Sequence, residues 1–230
     1  MSEKEKKQML EKKNYPGRCN FCGAVFGKRA MTTHLKSCRV REGEKAMKTK
    51  AVPAFQLLIE GRHLPKYWLQ VAVPINFKLQ DLDRFLRDIW LECCGHLSMF
   101  IINGVEYTED YEAIDYAESI EIPVGRVLRV GDKFHYDYDF GTATRLVLRV
   151  AGLTTVPKKE IVLLARNEPL FIPCGVCGQN AELICGMCSH MEEGWLCSSC
   201  AKKHRCDELS FLPVVNSPRT GQCGYTGSMD

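Results

Sequence analysis

Between residues 54 and 172 the apolar positions fall in short, dense runs, and their period changes along the way. "AFQLLIEG" and "YWLQVAVP" are rich in branched and aromatic residues and are separated by "RHLPK". Two such runs about a short polar break predict a β-hairpin. In "LQDLDRFLRDIWLECCG" the period shifts. Leu82, Phe85, Leu86, Ile89, Trp90 and Cys93 recur at helical spacing, with Asp81 placed as N-cap and Gly95 near the stop. "HLSMFIING" returns to strand, and Asn103-Gly104 predicts a tight turn into "VEY". The run "RVLRVGDKFHYDYDFGTATRLVLRVAGLTTV" adds strands hinged at Gly131-Asp132 and Phe140-Gly141, and "EIVLLAR" supplies the last strand. The predicted class is α+β: a central, mostly antiparallel sheet with one packed helix, flanked by small modules at either end.

Outside this span the apolar runs thin out and cysteine takes over. The chain has 13 cysteines in 230 residues, most of them near the two ends. No apolar stretch approaches the roughly 20 residues of a membrane span, and "MSEKEKKQMLEKKN" has no apolar core of the signal-peptide kind. A cytoplasmic location is therefore expected, where thiols stay reduced and clustered Cys-x-x-Cys pairs read as metal ligands. The expected organisation is a basic head over 1–40, a linker over 41–53, an α+β body over 54–172 and a cysteine-rich module over 173–230.

Charge separates the head from the rest. Residues 1–50 carry 14 Lys/Arg against 5 Asp/Glu, while the other 180 carry 17 against 23. A basic head on a mildly acidic body suits an anionic partner, DNA or RNA, or serves only to solubilise the chain.

The head contains Cys19, Cys22, His34 and Cys38, spaced C-x2-C-x11-H-x3-C. A two-thiolate knuckle and two ligands one helical turn apart can close a tetrahedral zinc site. The pattern resembles the ββα zinc finger with cysteine as last ligand, and Phe26 and Met31 are expected to form its small core. A segment of this size folds on the free energy of metal binding. Of the base-reading positions near Gly27, Arg29, Ala30 and Thr33, only Arg29 is a good reader. Phosphate contact is better supported, with Arg18, Lys28, Arg29, Lys36, Arg39 and Arg41 in or beside the finger. The expectation is a weakly specific nucleic-acid contact through residues 1–50, or a protein-docking finger.

The tail runs C-x2-C-x7-C-x2-C-x8-C-x2-C-x3-H-x-C, from Cys174 and Cys177 through Cys185, Cys188, Cys197 and Cys200 to His204 and Cys206. Cys223 follows, so nine candidates compete for the eight places around two zinc ions. The order resembles cross-braced double-zinc modules such as B-boxes and MYND domains. In that arrangement Cys174 and Cys177 join Cys197 and Cys200, while Cys185 and Cys188 join His204 and either Cys206 or Cys223. A sequential ribbon joining the first two pairs is the alternative. The interleaved order is preferred because it gives His204 a place. About three zinc ions per chain are expected, one in the head and two in the tail.

In the body, "FQLLIEG…YWLQVAVPINFKLQDLDRFLRDIW…HLSMFIINGVEY" followed by "FHYDYDFGT" resembles the plasmid pRiA-type open-reading-frame family, also called the TnpR-like transposon-passenger family. The similarity spans residues 54–166. It rests on the strand-strand-helix opening, His96-Leu97, and Tyr138-Asp139-Phe140-Gly141. The resemblance implies an association with mobile elements and no defined activity. Where the family usually has an acidic residue and then a tryptophan after the glycine, this chain has Thr142 and Thr144.

His135, Asp137 and Asp139 alternate with Tyr136, Tyr138 and Phe140, so an extended strand puts the three polar residues on one face. Imidazole with two carboxylates could make an acid/base or hard-metal site. A solvent-facing strand with its aromatics turned inward explains the same pattern and is preferred. Cys93-Cys94 reads as a core thiol and its neighbour. No phosphate loop, nucleophile elbow or His-Glu-x-x-His motif occurs. The expected function is that of a non-enzymatic zinc-binding adaptor or regulatory protein with an unidentified protein partner, the alternative being an enzyme or ligand-binding domain built on His135, Asp137 and Asp139.

Overall fold

The computed structural model describes residues 15–41, 51–157, 160–206 and 210–227. The basic runs of residues 1–14 and most of the expected linker, 42–50, lie outside the described residues.

The head forms β1 (Pro16–Cys19), β2 (Val25–Gly27) and α1 (Lys28–His34). The body opens with the hairpin β3 (Val52–Gly61) and β4 (Trp68–Pro74), then α2 (Leu79–Leu86), which runs on as a π-turn over Arg87–Leu91. β5 (Ser98–Ile102) and β6 (Val105–Thr108) follow, joined through Asn103 and Gly104, both at positive φ as the predicted turn requires. β7 (Glu118–Ser119), a short α3 (Val124–Val127), β8 (Lys133–Tyr138), β9 (Thr144–Val156) and β10 (Val162–Asn167) complete the body. The tail holds β11 (Leu183–Cys185), β12 (Trp195–Leu196), α4 (Ser198–Ala201) and β13 (Phe211–Pro213).

Ten strands make one sheet in the order β2-β1-β10-β4-β3-β9-β8-β5-β6-β7. Its neighbours are antiparallel except for β6 and β7. This is the α+β architecture that the apolar pattern predicts, with a second small sheet, β12-β11-β13, in the tail. Two details of α2 differ from expectation. Lys78 is the N-cap, and Asp81 sits three residues in, its carboxylate accepting the Lys78 N–H at 2.8 Å. The helix also changes to the wider π-turn before reaching Gly95.

Around β4 the sheet is buried on both faces, and the two faces have different covers. Phe55, Leu57 and Ile59 of β3, with Leu69, Val71 and Val73 of β4, face Leu79, Leu82, Leu86 and Trp90. Register explains the shared face, since Phe55 pairs with Val73, Leu57 with Val71 and Ile59 with Leu69. On the other face Ala54, Trp68, Ala72 and Leu164 pack against Met31 and Leu35 of the head. Every residue of β4 is accordingly buried.

The head is thus part of the body's sheet. β1 pairs with β10, Cys19 lying opposite Ala165. Gln70 of β4 donates to the Thr32 hydroxyl at 2.7 Å, and Arg41, 3 % exposed, donates to the Leu35 carbonyl at 2.6 Å and Thr154 Oγ1 at 2.5 Å. The predicted core of Phe26 and Met31 is corrected on this point. Met31 is buried against the sheet, whereas Phe26 is partly exposed and rests on the His34 ring, centroids 4.7 Å apart. Burying Met31 and Leu35 contributes about 1.5–3 kcal/mol each, so docking adds to whatever a metal supplies. The expected 41–53 linker shortens at both ends, because Arg41 is tied down and β3 begins at Val52.

Candidate metal centres

Four groups of Cys and His side chains converge among the described residues, with the ligand atoms of each group within 4.8 Å of one another. They are Cys19/Cys22/His34/Cys38, Cys174/Cys177/Cys197/Cys200, Cys185/Cys188/His204/Cys206 and Cys93/Cys94/His96/Cys223.

In the head, Cys19 ends β1, and the chain turns through Gly23, at φ 72°, to bring Cys22 back. The turn is closed by Gly23 N–H to Cys19 O at 2.9 Å. α1 carries His34 to the site, and Cys38 follows one turn later. Cys22 Sγ lies 3.3 Å from His34 Nε2, and Cys19 Sγ lies 4.0 Å from Cys38 Sγ.

In the tail the pairs interleave. Cys174 and Cys177 form one knuckle, closed by Gly178 N–H to Cys174 O at 2.9 Å, and meet Cys197 and Cys200 at the start of α4. Cys177 Sγ is 3.6 Å from Cys197 Sγ. Cys185, at the end of β11, and Cys188 form the other knuckle and meet His204 and Cys206. Cys188 Sγ is 3.7 Å from His204 Nε2 and 3.8 Å from Cys206 Sγ. This spacing leaves no room beside Cys188 for a side chain at residue 194, where a Cβ would stand 2.0 Å from the Cys188 carbonyl oxygen. Glycine occupies that position.

The donor sets fit a tetrahedral thiophilic cation. A zinc ion with bonds of about 2.3 Å to sulfur implies sulfur–sulfur edges of about 3.8 Å, and the sulfur–sulfur separations above are 3.6–4.0 Å. A disulfide would need about 2.05 Å, and all 13 cysteines are free. Within one cluster the thiols differ in how well their charge is stabilised. Burial pushes Cys174 up, but the N–H groups of Cys197, Cys177 and Val176 outweigh it and bring it down to about 6. Its neighbour Cys200 is pushed up to about 12, chiefly by Cys177 and Cys197. A cation between the four would favour the thiolate form of all of them.

Cys223 is not in the tail module. The segment from Val214 to Gly227 leaves it and straps across the body. Trp90 Nε1 donates to Asn216 O at 3.1 Å, and Ser217 Oγ donates to Trp90 O at 2.6 Å. Arg219, fully buried, donates to Asp139 Oδ2 at 2.7 Å, to Thr142 O and Thr144 Oγ1 at 3.1 Å each, and to Cys93 Sγ at 3.3 Å. Cys223 thereby lands beside Cys93, Cys94 and His96, and Cys206 is the residue that meets Cys188. The sequence did carry a signal for this. Nine candidates for eight tail places left one cysteine over, and "ECCGH" offered three more ligands, Cys93, Cys94 and His96, within four residues.

The polar face proposed on β8 is not assembled. His135 and Asp137 lie half-buried on one side of the strand while Phe134, Tyr136 and Tyr138 turn inward. Asp137 pairs with Arg145 at 3.3 Å. Asp139 lies beyond the strand at φ 63°, and its Oδ1 accepts the Gly141 and Thr142 N–H groups at 3.1 Å. Burial alone would raise the Asp139 carboxyl, but Arg219 and these N–H groups hold it below its usual range. His135 is lowered by burial, Arg62 and Lys133, against a smaller opposing pull from Asp137.

The head's cations divide. Arg18 pairs with Glu168 at 2.7 Å, Lys28 bonds Glu60, and Arg41 is buried. Arg29, Lys36 and Arg39 are exposed. No helix among the described residues is long and apolar enough to cross a membrane.

No protein-family model matches the chain, and no curated protein matches it. Among solved structures, a crystal structure of a protein of unknown function, MM3350 from Methanosarcina mazei Go1, is similar over 51 % of this chain and 68 % of that one, at 15 % identity and a TM-score of 0.43.

Proposed function

We propose that this protein is a non-enzymatic zinc-binding adaptor, in which the head and tail clusters hold about three zinc ions as structural ties. The observation that carries this reading is the ligand count. Each head and tail cluster offers four protein side chains at tetrahedral spacing, which fills zinc's coordination and leaves no position for substrate or water. Catalytic zinc keeps one position open. The role left to such modules is to present surface. In the tail, Val176 and Met187 stand exposed in the two knuckles, 65 % and 54 % respectively, with Met191 close behind in sequence at 44 %. Exposed apolar side chains of this kind suit a protein partner. In the head, Arg29, Lys36 and Arg39 remain as the contact for an anionic partner such as DNA or RNA, with an affinity that falls steeply as salt rises. The resemblance to mobile-element passenger proteins belongs to the same reading and adds no activity to it.

The test is cobalt substitution of the purified full chain after elemental analysis. Zinc in stoichiometric amount is expected, together with a tetrahedral thiolate-cobalt spectrum that azide and phosphate leave unchanged. A spectrum that shifts with added anion means an open coordination position, and the adaptor reading then fails.

A further inference from the structure

We propose that Cys93, Cys94, His96 and Cys223 form an additional metal site, a Cys3His clasp for zinc or a similarly thiophilic divalent cation, which locks the C-terminal strap onto the body and fixes one wall of the adjoining cleft. This goes beyond the head and tail modules, because its ligands come from two distant parts of the chain and tie the tail to the central sheet.

The geometry is that of the other clusters. His96 Nε2 lies 3.0 Å from Cys94 Sγ and 3.2 Å from Cys223 Sγ, Cys94 Sγ lies 3.8 Å from Cys223 Sγ, and Cys93 Sγ lies 3.5 Å from Cys94 Sγ. Apolar burial does not explain this convergence, since Cys94 and Cys223 are exposed. Nor does the backbone reach the site by default. Gly95 turns at φ 77° to set Cys94 and His96 about one point, and Cys223 itself holds φ 47°, a conformation L-residues rarely take without a local reason.

The surroundings are built for a thiolate ligand. Arg219, with no solvent exposure, donates to Cys93 Sγ at 3.3 Å. A buried donor of this kind orients a ligand and stabilises its charge. Of the nearby carboxylates, Glu92 Oε1 is taken up by the Gly95 N–H and the Tyr138 hydroxyl, and Asp139 stands with Oδ2 3.5 Å from His96 Nε2. Both its oxygens are already engaged, Oδ2 by Arg219 and Oδ1 by two turn N–H groups. The donor set is therefore three sulfurs and one nitrogen, which selects zinc over magnesium or calcium.

Position gives the site its consequence. The strap is fastened at Asn216 and Ser217 by Trp90, and Arg219 anchors its middle. The segment Thr220 to Cys223 lines a cleft of about 890 Å³, facing Tyr67, Trp195 and Met191. With the ion bound, that wall is held at both ends. Without it, the far end rests on the hydrogen bond that Thr144 Oγ1 donates to Gln222 and on the buried Tyr225 ring.

The experiment is metal counting on the full chain by native mass spectrometry, wild type against Cys94→Ser and Cys223→Ser, with hydrogen exchange of the strap read alongside. We expect four ions in the wild type and three in each variant, with faster exchange confined to residues 214–227. Three ions in the wild type, or four in either variant, overturns the clasp and leaves the head and tail reading standing. Thiol labelling of the wild type serves if a variant fails to fold. Cys94 and Cys223 should resist alkylation until chelator is added. Immediate labelling of metal-replete protein, or a disulfide joining them, overturns the proposal.

Discussion

Replacing Arg219 with methionine tests how firmly the strap is fastened to the body. The guanidinium is fully buried and reaches four partners: the Asp139 carboxylate, the Thr142 carbonyl, the Thr144 hydroxyl and the Cys93 sulfur. Methionine fills similar volume but leaves Asp139, whose side chain is 6 % exposed, without its countercharge. Removing one partner of a buried ion pair costs about 3–5 kcal/mol, mostly through the stranded charge. At about 2–4 °C per kcal/mol for a chain of this size, the midpoint of a metal-replete thermal scan should fall by roughly 6–20 °C. The double variant Arg219→Met with Asp139→Asn removes both charges and should recover much of that loss, because the stranded carboxylate is gone. The fork geometry predicts that Arg219→Lys is also destabilised, since one ammonium cannot reach all four acceptors. If Arg219→Met costs less than about 1 kcal/mol, the range of exposed ion pairs, the strap is not docked as described and the anchoring argument is wrong.

Three further outcomes follow from named contacts. Met31→Ala should cost about 2–5 kcal/mol and lower the denaturation midpoint of the whole body, because Met31 packs on Ala54, Trp68 and Ala72; a loss confined to protease sensitivity of residues 15–41 would contradict the shared core. The triple variant Arg29→Ala, Lys36→Ala, Arg39→Ala should weaken retention on immobilised DNA or RNA at low salt without moving the denaturation midpoint, whereas Arg41→Ala should do the reverse. NMR titration of His135 should give a pKa below 6.5, since burial outweighs the attraction of Asp137. The folded state then binds that proton more weakly than the unfolded one. Its contribution is full above about pH 6.5 and declines as pH falls toward the folded value, a slope that His135→Gln should remove.

Much of the body was legible because its signals are local. The hairpin of β3 and β4, the tight turn at Asn103-Gly104 and the inward-facing Phe134, Tyr136 and Tyr138 each follow from spacing within a few residues. So did the gathering of ligands within the head, where all four lie in twenty residues of sequence. Three things were not local. Asp139 breaks the period-2 face because it turns at positive φ toward Arg219, a partner 80 positions away. The docking of the head depends on a small-residue floor, Ala54 and Ala72, that says nothing until the partner helix is known. Cys223 belongs with Cys93, Cys94 and His96 because the strap crosses the body; the ligand count left one tail cysteine over, but chain spacing did not say where it goes.

The head and the strap are attached to the body by different physics, and this bears on what metal removal should expose. α1 covers a sheet face whose central strand, β4, has no polar side except Gln70, and Gln70 is itself bonded to Thr32 and to Gln56. Undocking the head would bare Trp68, Ala72 and Leu164 and leave the Gln70 amide without its helix partner, so this interface opens only at considerable cost. The strap buries Arg219 and Tyr225 and is held by directed bonds to Trp90, Asp139 and Thr144, but its turn at Cys223 is exposed. An exposed turn held by polar contacts opens with less loss of free energy than a buried apolar face does. Chelation should therefore release the Cys223 turn of the strap before the head, even though each is held at a Cys/His cluster, and the order of release is set by what each segment buries beneath its ligands.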